Sequence, residues 1–170
     1  SDGNNWTDAG TNATYTVASS DEGKSIRAVV SYTDGQGFDE TVTATAVDIP
    51  YVNDGTASYS ISGTAGVGNT LSLNVGTADP DGAGSPTYQW QTSSDGSNWA
   101  DAGTNATYTV ASADEGKSIR AVVSYTDGQG FDETVTATAV AIPNVNNGAA
   151  SYSISGTAAV GNTLSLNVGT

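Results

Sequence analysis

Residues Ser112–Asp127 read SADEGKSIRAVVSYTD. From Ile119 the large apolar residues fall on alternate positions, Ile119, Ala121, Val123 and Tyr125, with Arg120 and Ser124 among those between. A period of two belongs to a strand with one buried face; a helix would repeat its apolar stripe every three to four residues. Working outward, the same period recurs. Ala57, Tyr59 and Ile61 alternate with serines; Leu71, Leu73 and Val75 alternate with Ser72 and Asn74; Tyr88 and Trp90 alternate in TYQWQ. Ala106, Tyr108 and Val110 do likewise, and Glu133–Ile142 is a Thr-rich, β-branched run. No window carries a convincing helical stripe. Asp81-Gly82, Asp95-Gly96 and Asp127-Gly128 lie between runs and read as turns of the kind that close hairpins. The pattern predicts an all-β chain of short strands packed as a β-sandwich.

Sliding the chain against itself by 93 positions aligns Ser1 with Ser94, Trp6 with Trp99, Phe38 with Phe131 and Val75 with Val168. Over the overlap eight positions differ: Asn4/Ser97, Thr7/Ala100, Ser20/Ala113, Asp48/Ala141, Tyr51/Asn144, Asp54/Asn147, Thr56/Ala149 and Gly66/Ala159. This is a tandem array whose period is one small domain. Ile49–Gly55 (IPYVNDG) and Ile142–Gly148 (IPNVNNG) place a proline and turn formers between β-like runs and read as linkers. On that frame residues 1–50 are the C-terminal part of one repeat, 51–143 a complete repeat, and 144–170 the N-terminal part of the next. Ser1 begins neither a signal peptide nor an open reading frame, so a stretch of something longer is expected.

The order of a mid-domain Trp strand (Tyr88–Gln91, YQWQ), the stretch Ser112–Asp127 and a Thr-rich final strand resembles the immunoglobulin-like tandem repeats of large bacterial extracellular adhesins and surface proteins. The resemblance implies that Trp90 is the core Trp of the third strand and Asp114-Glu115-Gly116 the corner before the penultimate one. The sequence departs from the immunoglobulin pattern in having no cysteine pair and no Tyr two positions before Ala121. A core without a disulfide must rest on packing, and Trp90, Tyr88 and Tyr125 are its expected large members. Trp99, just after a turn, reads as a half-buried lid or a surface aromatic.

Composition narrows the chemistry. The chain has no cysteine and no histidine, so thiolate sites and the commonest general base are absent. Eighteen acids face four basic residues, a formal charge of −14. Such a surface repels nucleic acid and anionic membranes and favours cations. No apolar run approaches bilayer length, so no membrane insertion is expected. The basic residues, Lys24, Arg27, Lys117 and Arg120, lie in two copies of EGKSIR and are expected to pair with the adjacent acids.

Asp79–Gly82 (DPDG) is the strongest site candidate. Two Asp separated by one residue in a Gly-rich loop can offer oxygens to a hard cation, making Asp79 and Asp81 candidate calcium ligands; an Asx-type turn between strands is the plainer alternative. Loops at the ends of such sandwiches commonly hold calcium in the adhesins the chain resembles. Asp48 and Asp54 could contribute, but their counterparts are Ala141 and Asn147. DGQGFDE (Asp34–Glu40, Asp127–Glu133) is a second acidic stretch, read as a hairpin loop whose Phe folds over the core edge rather than as a binding tip. Asp101, Asp114 and Glu115 could be paired as in a glycosidase, but nothing marks a cleft.

These readings point to a non-enzymatic structural repeat of a long extracellular or cell-surface protein, an adhesin stalk or matrix fibre. Its expected partners are neighbouring repeats of the same protein, including head-to-tail pairing by strand complementation. The alternative is a carbohydrate- or protein-binding β-sandwich module using Trp99 or Phe131 against a glycan or protein receptor.

Overall fold

In the computed structural model residues 5–169 are described; residues 1–4 and Thr170, with the ends of the expected first and last repeats, lie outside them. Regular structure among the described residues is strand, apart from two 3-10 turns, Ser19–Asp21 and Ser112–Asp114. The strands are β1 (Ser25–Ile26), β2 (Val29–Thr33), β3 (Asp39–Thr43), β4 (Val47–Asp48), β5 (Tyr59–Ser62), β6 (Thr70–Val75) and β7 (Thr87–Ser93). They continue with β8 (Ala100–Gly103), β9 (Thr107–Thr109), β10 (Ser118–Thr126), β11 (Asp132–Ala141), β12 (Tyr152–Ser155) and β13 (Ser165–Val168). The protein is therefore all-β, built of several antiparallel sheets, as the period-two pattern demands. No helix among the described residues is long and apolar enough to cross a membrane.

The chain divides into two compact units. One comprises Tyr59–Gly76, Thr87–Val123 and Val135–Thr170. Its β5, β6 and β9 form a three-stranded sheet in the order β5-β6-β9, and β7 and β8 belong to a four-stranded sheet ordered β11-β10-β7-β8. The core draws on both sheets: Leu71 from β6, Trp90 from β7, Ile119 and Ala121 from β10, with Val110 and Ile142 beside β9 and β11. Trp90 is fully buried, and its indole N–H donates to Asn105 O at 2.9 Å, so the polar edge of the ring is satisfied. Tyr108 stacks on it at 5.8 Å between ring centroids. Along β10 every second residue from Ile119 to Tyr125 is buried, the alternation the sequence displays. Of the expected core aromatics, Trp90 and Tyr125 are buried and Tyr88 is half-buried. The β12–β13 hairpin pairs Tyr152 with Val168 and Ser155 with Ser165, the register that β5–β6 shows from Tyr59↔Val75 to Ser62↔Ser72.

The other unit comprises Ser1–Ser58, Thr77–Pro86 and Ser124–Thr134. Its strands β2 and β3 pair from Val29↔Thr43 to Thr33↔Asp39, and β1 pairs with β4. Two features depart from the sequence reading. Asp81-Gly82 does not close a hairpin: β6 and β7 lie in different sheets, and the DPDG loop is the crossing between them. Asp95-Gly96 and Asp127-Gly128 do join neighbouring strands, β7 to β8 and β10 to β11. Arg120 does not pair with an adjacent acid. Its guanidinium lies 4.2 Å over the Trp99 ring and its Nε donates to Gln91 Oε1, because Arg120 points away from the corner where Asp114 takes Lys117 at 3.8 Å.

Candidate cation site

The crossing loop is shaped by its own side chains. Asp79 Oδ1 accepts the Asp81 N–H at 2.8 Å, and Gly82 N–H closes the turn onto Asp79 O at 3.1 Å with φ of +84°. The Asx turn expected of DPDG is thus formed, and it aims both carboxylates to one side. Asp79 is only 5 % exposed. Its second oxygen accepts the Tyr125 hydroxyl at 2.7 Å, while that hydroxyl accepts the Ala57 N–H at 2.7 Å.

The loop does not stand alone. The β10–β11 turn comes up against it, and Ala83 forms a bridge with Asp127. Gly84 N–H donates to Thr126 O, and Gly128 N–H reaches Gly82 O at 2.8 Å and Asp81 O at 3.2 Å. A Cβ on Gly128 would collide with the Asp81 carbonyl, so glycine is required there for close approach rather than for its dihedral freedom. Asp127, 7 % exposed, spends Oδ1 on the N–H groups of Gln129 and Phe131, each at 2.8 Å. One carboxylate oxygen each from Asp79, Asp81 and Asp127 lies within 4.8 Å of the other two.

Comparison of the chain with protein-family models, with curated proteins and with solved structures gives no match.

Two of the expected ligands, Asp79 and Asp81, are brought together, and Asp127 joins them from a stretch read separately as a hairpin loop. Asn53 and Asp54 also reach the site. Asp54 donates its backbone N–H to Asp81 Oδ2 at 2.7 Å, and Asn53 donates its side-chain amide to the buried Glu133. Asp54 thus contributes its main-chain N–H to this contact. Asp48 lies elsewhere, accepting from Ser25 Oγ at 2.7 Å.

The remaining candidates are separately engaged. Asp101 accepts from Gln91, and Glu115 accepts the Val145 N–H. Asp114 accepts the Tyr108 hydroxyl at 2.6 Å and the Ala111 N–H at 3.0 Å. The sequence reading did not foresee this Tyr–Asp corner, because the Tyr stands before the 3-10 turn and not two positions before Ala121. The earlier copy has the same corner, Tyr15 to Asp21 at 2.8 Å. Burial first, then the bond to Asp114, pushes the Tyr108 phenol up to about 12. Asp95, in the β7–β8 turn, is held well below the usual carboxylate range by the Asn98 N–H, the Asn98 amide and the Ser97 N–H.

Proposed function

We propose that the chain is a stretch of tandem immunoglobulin-like sandwich repeats with a 93-residue period, acting as a structural spacer in a long extracellular surface protein such as an adhesin stalk or matrix fibre. The observation that carries this reading is local structure repeated in step with sequence. The Tyr–Asp corner, the β5–β6 and β12–β13 registers, and the Asp34 and Asp127 turns are built by the same bonds in successive copies. Small sandwiches in series give length in proportion to copy number, and an acidic Ser- and Thr-rich exterior resists self-association. Arg120 covers one face of Trp99, and Arg27 lies 4.0 Å over the Trp6 ring. That leaves these aromatics less free to stack on a sugar, which favours a spacer over a carbohydrate- or protein-binding module.

The partial copies support pairing between neighbouring repeats, within one chain or head to tail between chains. Val123 is fully buried and its counterpart Val30 is 55 % exposed; Leu71 is fully buried and Leu164 is 47 % exposed. Strands of these copies carry faces that a complete repeat covers. The spacer reading is tested by small-angle scattering of this chain beside versions lengthened by one and two further 93-residue copies, with a glycan array in parallel. A constant increment in maximum dimension per copy and no glycan retained are expected. Compaction on lengthening, or saturable glycan binding, would refute it.

A further inference from the structure

Three carboxylates drawn within 4.8 Å of one another, two of them buried, make an arrangement that folding alone should avoid. No basic side chain relieves it. Lys24 donates to Ser20 O, Arg27 and Arg120 lie over Trp6 and Trp99, and Lys117 pairs with Asp114. Hydrogen bonds satisfy both oxygens of Asp79 and both of Asp81. They do not satisfy Asp127: its Oδ2 is buried without a donor, and so is Oε1 of Gln129, whose Nε2 donates to Asp81 Oδ1 at 2.8 Å. Two orphaned acceptor oxygens beside a cluster of negative charge is a deficit of positive charge, not of hydrogen bonds. Calcium takes oxygen ligands at 2.3–2.6 Å, so oxygens on opposite sides of one ion stand about 5 Å apart, and the triad fits within that span.

We propose that Asp79, Asp81 and Asp127, with the amide oxygen of Gln129, form a calcium site, and that its occupancy holds the linker segment 53–57 through Asp54 and Tyr125. The coupling is direct. The Asp81 carboxylate that would ligate the ion accepts the Asp54 N–H, and the Asp79 carboxylate accepts the Tyr125 hydroxyl that in turn takes the Ala57 N–H. Without the ion, repulsion among the carboxylates works against the loop positions that those two N–H groups depend on. The proposal stands on this geometry alone and does not need the spacer reading.

The chain carries its own control. Asp34 makes the same turn as Asp127, its Oδ1 accepting the Gln36 and Phe38 N–H groups at 2.9 Å, and within this chain it has no DPDG loop beside it: residues 1–33 contain none. The experiment is calorimetric titration of the chelator-treated full chain with calcium chloride and, separately, magnesium chloride, with amide exchange of Asp54 and Ala57 followed in parallel. Expected are one calcium site with Kd of about 0.1–1 mM, the range of extracellular modules, and weaker magnesium binding. Asp127→Asn, which keeps the Oδ1 acceptor for its turn, should weaken calcium binding at least tenfold, whereas Asp34→Asn should leave it unchanged. Calcium should slow exchange at Asp54 and Ala57 in the unaltered chain and not in Asp127→Asn. Asp81→Asn serves as the second variant should Asp127→Asn lose its near-ultraviolet signature. Absence of saturable calcium binding, a preference for magnesium, equal loss in Asp34→Asn, or calcium binding that leaves Asp54 and Ala57 exchange unchanged would each overturn the proposal.

Discussion

Trp90 and Trp99 are nine residues apart on one hairpin and differ in what they cost to remove. Trp90 is enclosed by the core and bonded through its N–H, so Trp90→Ala should destabilise by about 3–5 kcal/mol in denaturant unfolding. Trp99→Ala loses mainly the half-exposed contact with Arg120, worth about 0.5–1 kcal/mol. Tyr108 adds a pH dependence. Its folded-state pKa is raised from the ordinary 10.0 to about 12, so between those values the unfolded chain releases a proton that the folded one retains. Its contribution is therefore complete below pH 10 and lost as pH rises towards 12. Thermal melts across that range should show a decline that Tyr108→Phe makes shallower. Asp95 acts at the other extreme: its folded pKa is depressed, so its contribution is present above about pH 4 and lost on acidification.

At the level of elements, period-two alternation marked β10 because that strand buries one face, every second residue from Ile119 to Tyr125. The same pattern could not say which strands would be neighbours. Asp81-Gly82 looked like the other two Asp-Gly turns because turn chemistry is local, whereas whether a turn closes a hairpin depends on which sheet the next strand joins. Asp127 was not legible as a member of the carboxylate cluster for the same reason, since its approach to Asp79 depends on how the crossing loop meets the β10–β11 turn. Asp79 and Asp81 were legible because their spacing alone shapes the loop. Gly128 offers a test of that crossing. Its Cβ position meets the Asp81 carbonyl, while Gly35, the same residue in the earlier copy, has open space. Gly128→Ala should lower the melting temperature and shift the amide resonances of 79–84, and Gly35→Ala should do neither.

For the whole molecule, the contrast between copies sets the expectation. Tyr32, Val30 and Val42 in β2–β3 are exposed, as are Ile154, Leu166 and Val168 in β12–β13. Two-stranded hairpins with open edges and exposed apolar residues accept further strands. If such pairing runs head to tail between chains, sedimentation should show an average mass that climbs with protein concentration without a plateau at the dimer, since a heterologous contact need not close. Ile154→Asp should suppress that rise. A single species at all concentrations would place the covering strands within one continuous chain instead.

The tie between Asp54 and the DPDG loop bears on which substitutions the segment tolerates. Because Asp54 engages Asp81 through its N–H, the contact makes no demand on the side chain at that position, and the aligned residue is Asn147. Substitution there is invisible to the contact, as it would not be at Asp81 or Asp127. Position 54 can therefore change its side chain and keep the N–H that meets Asp81.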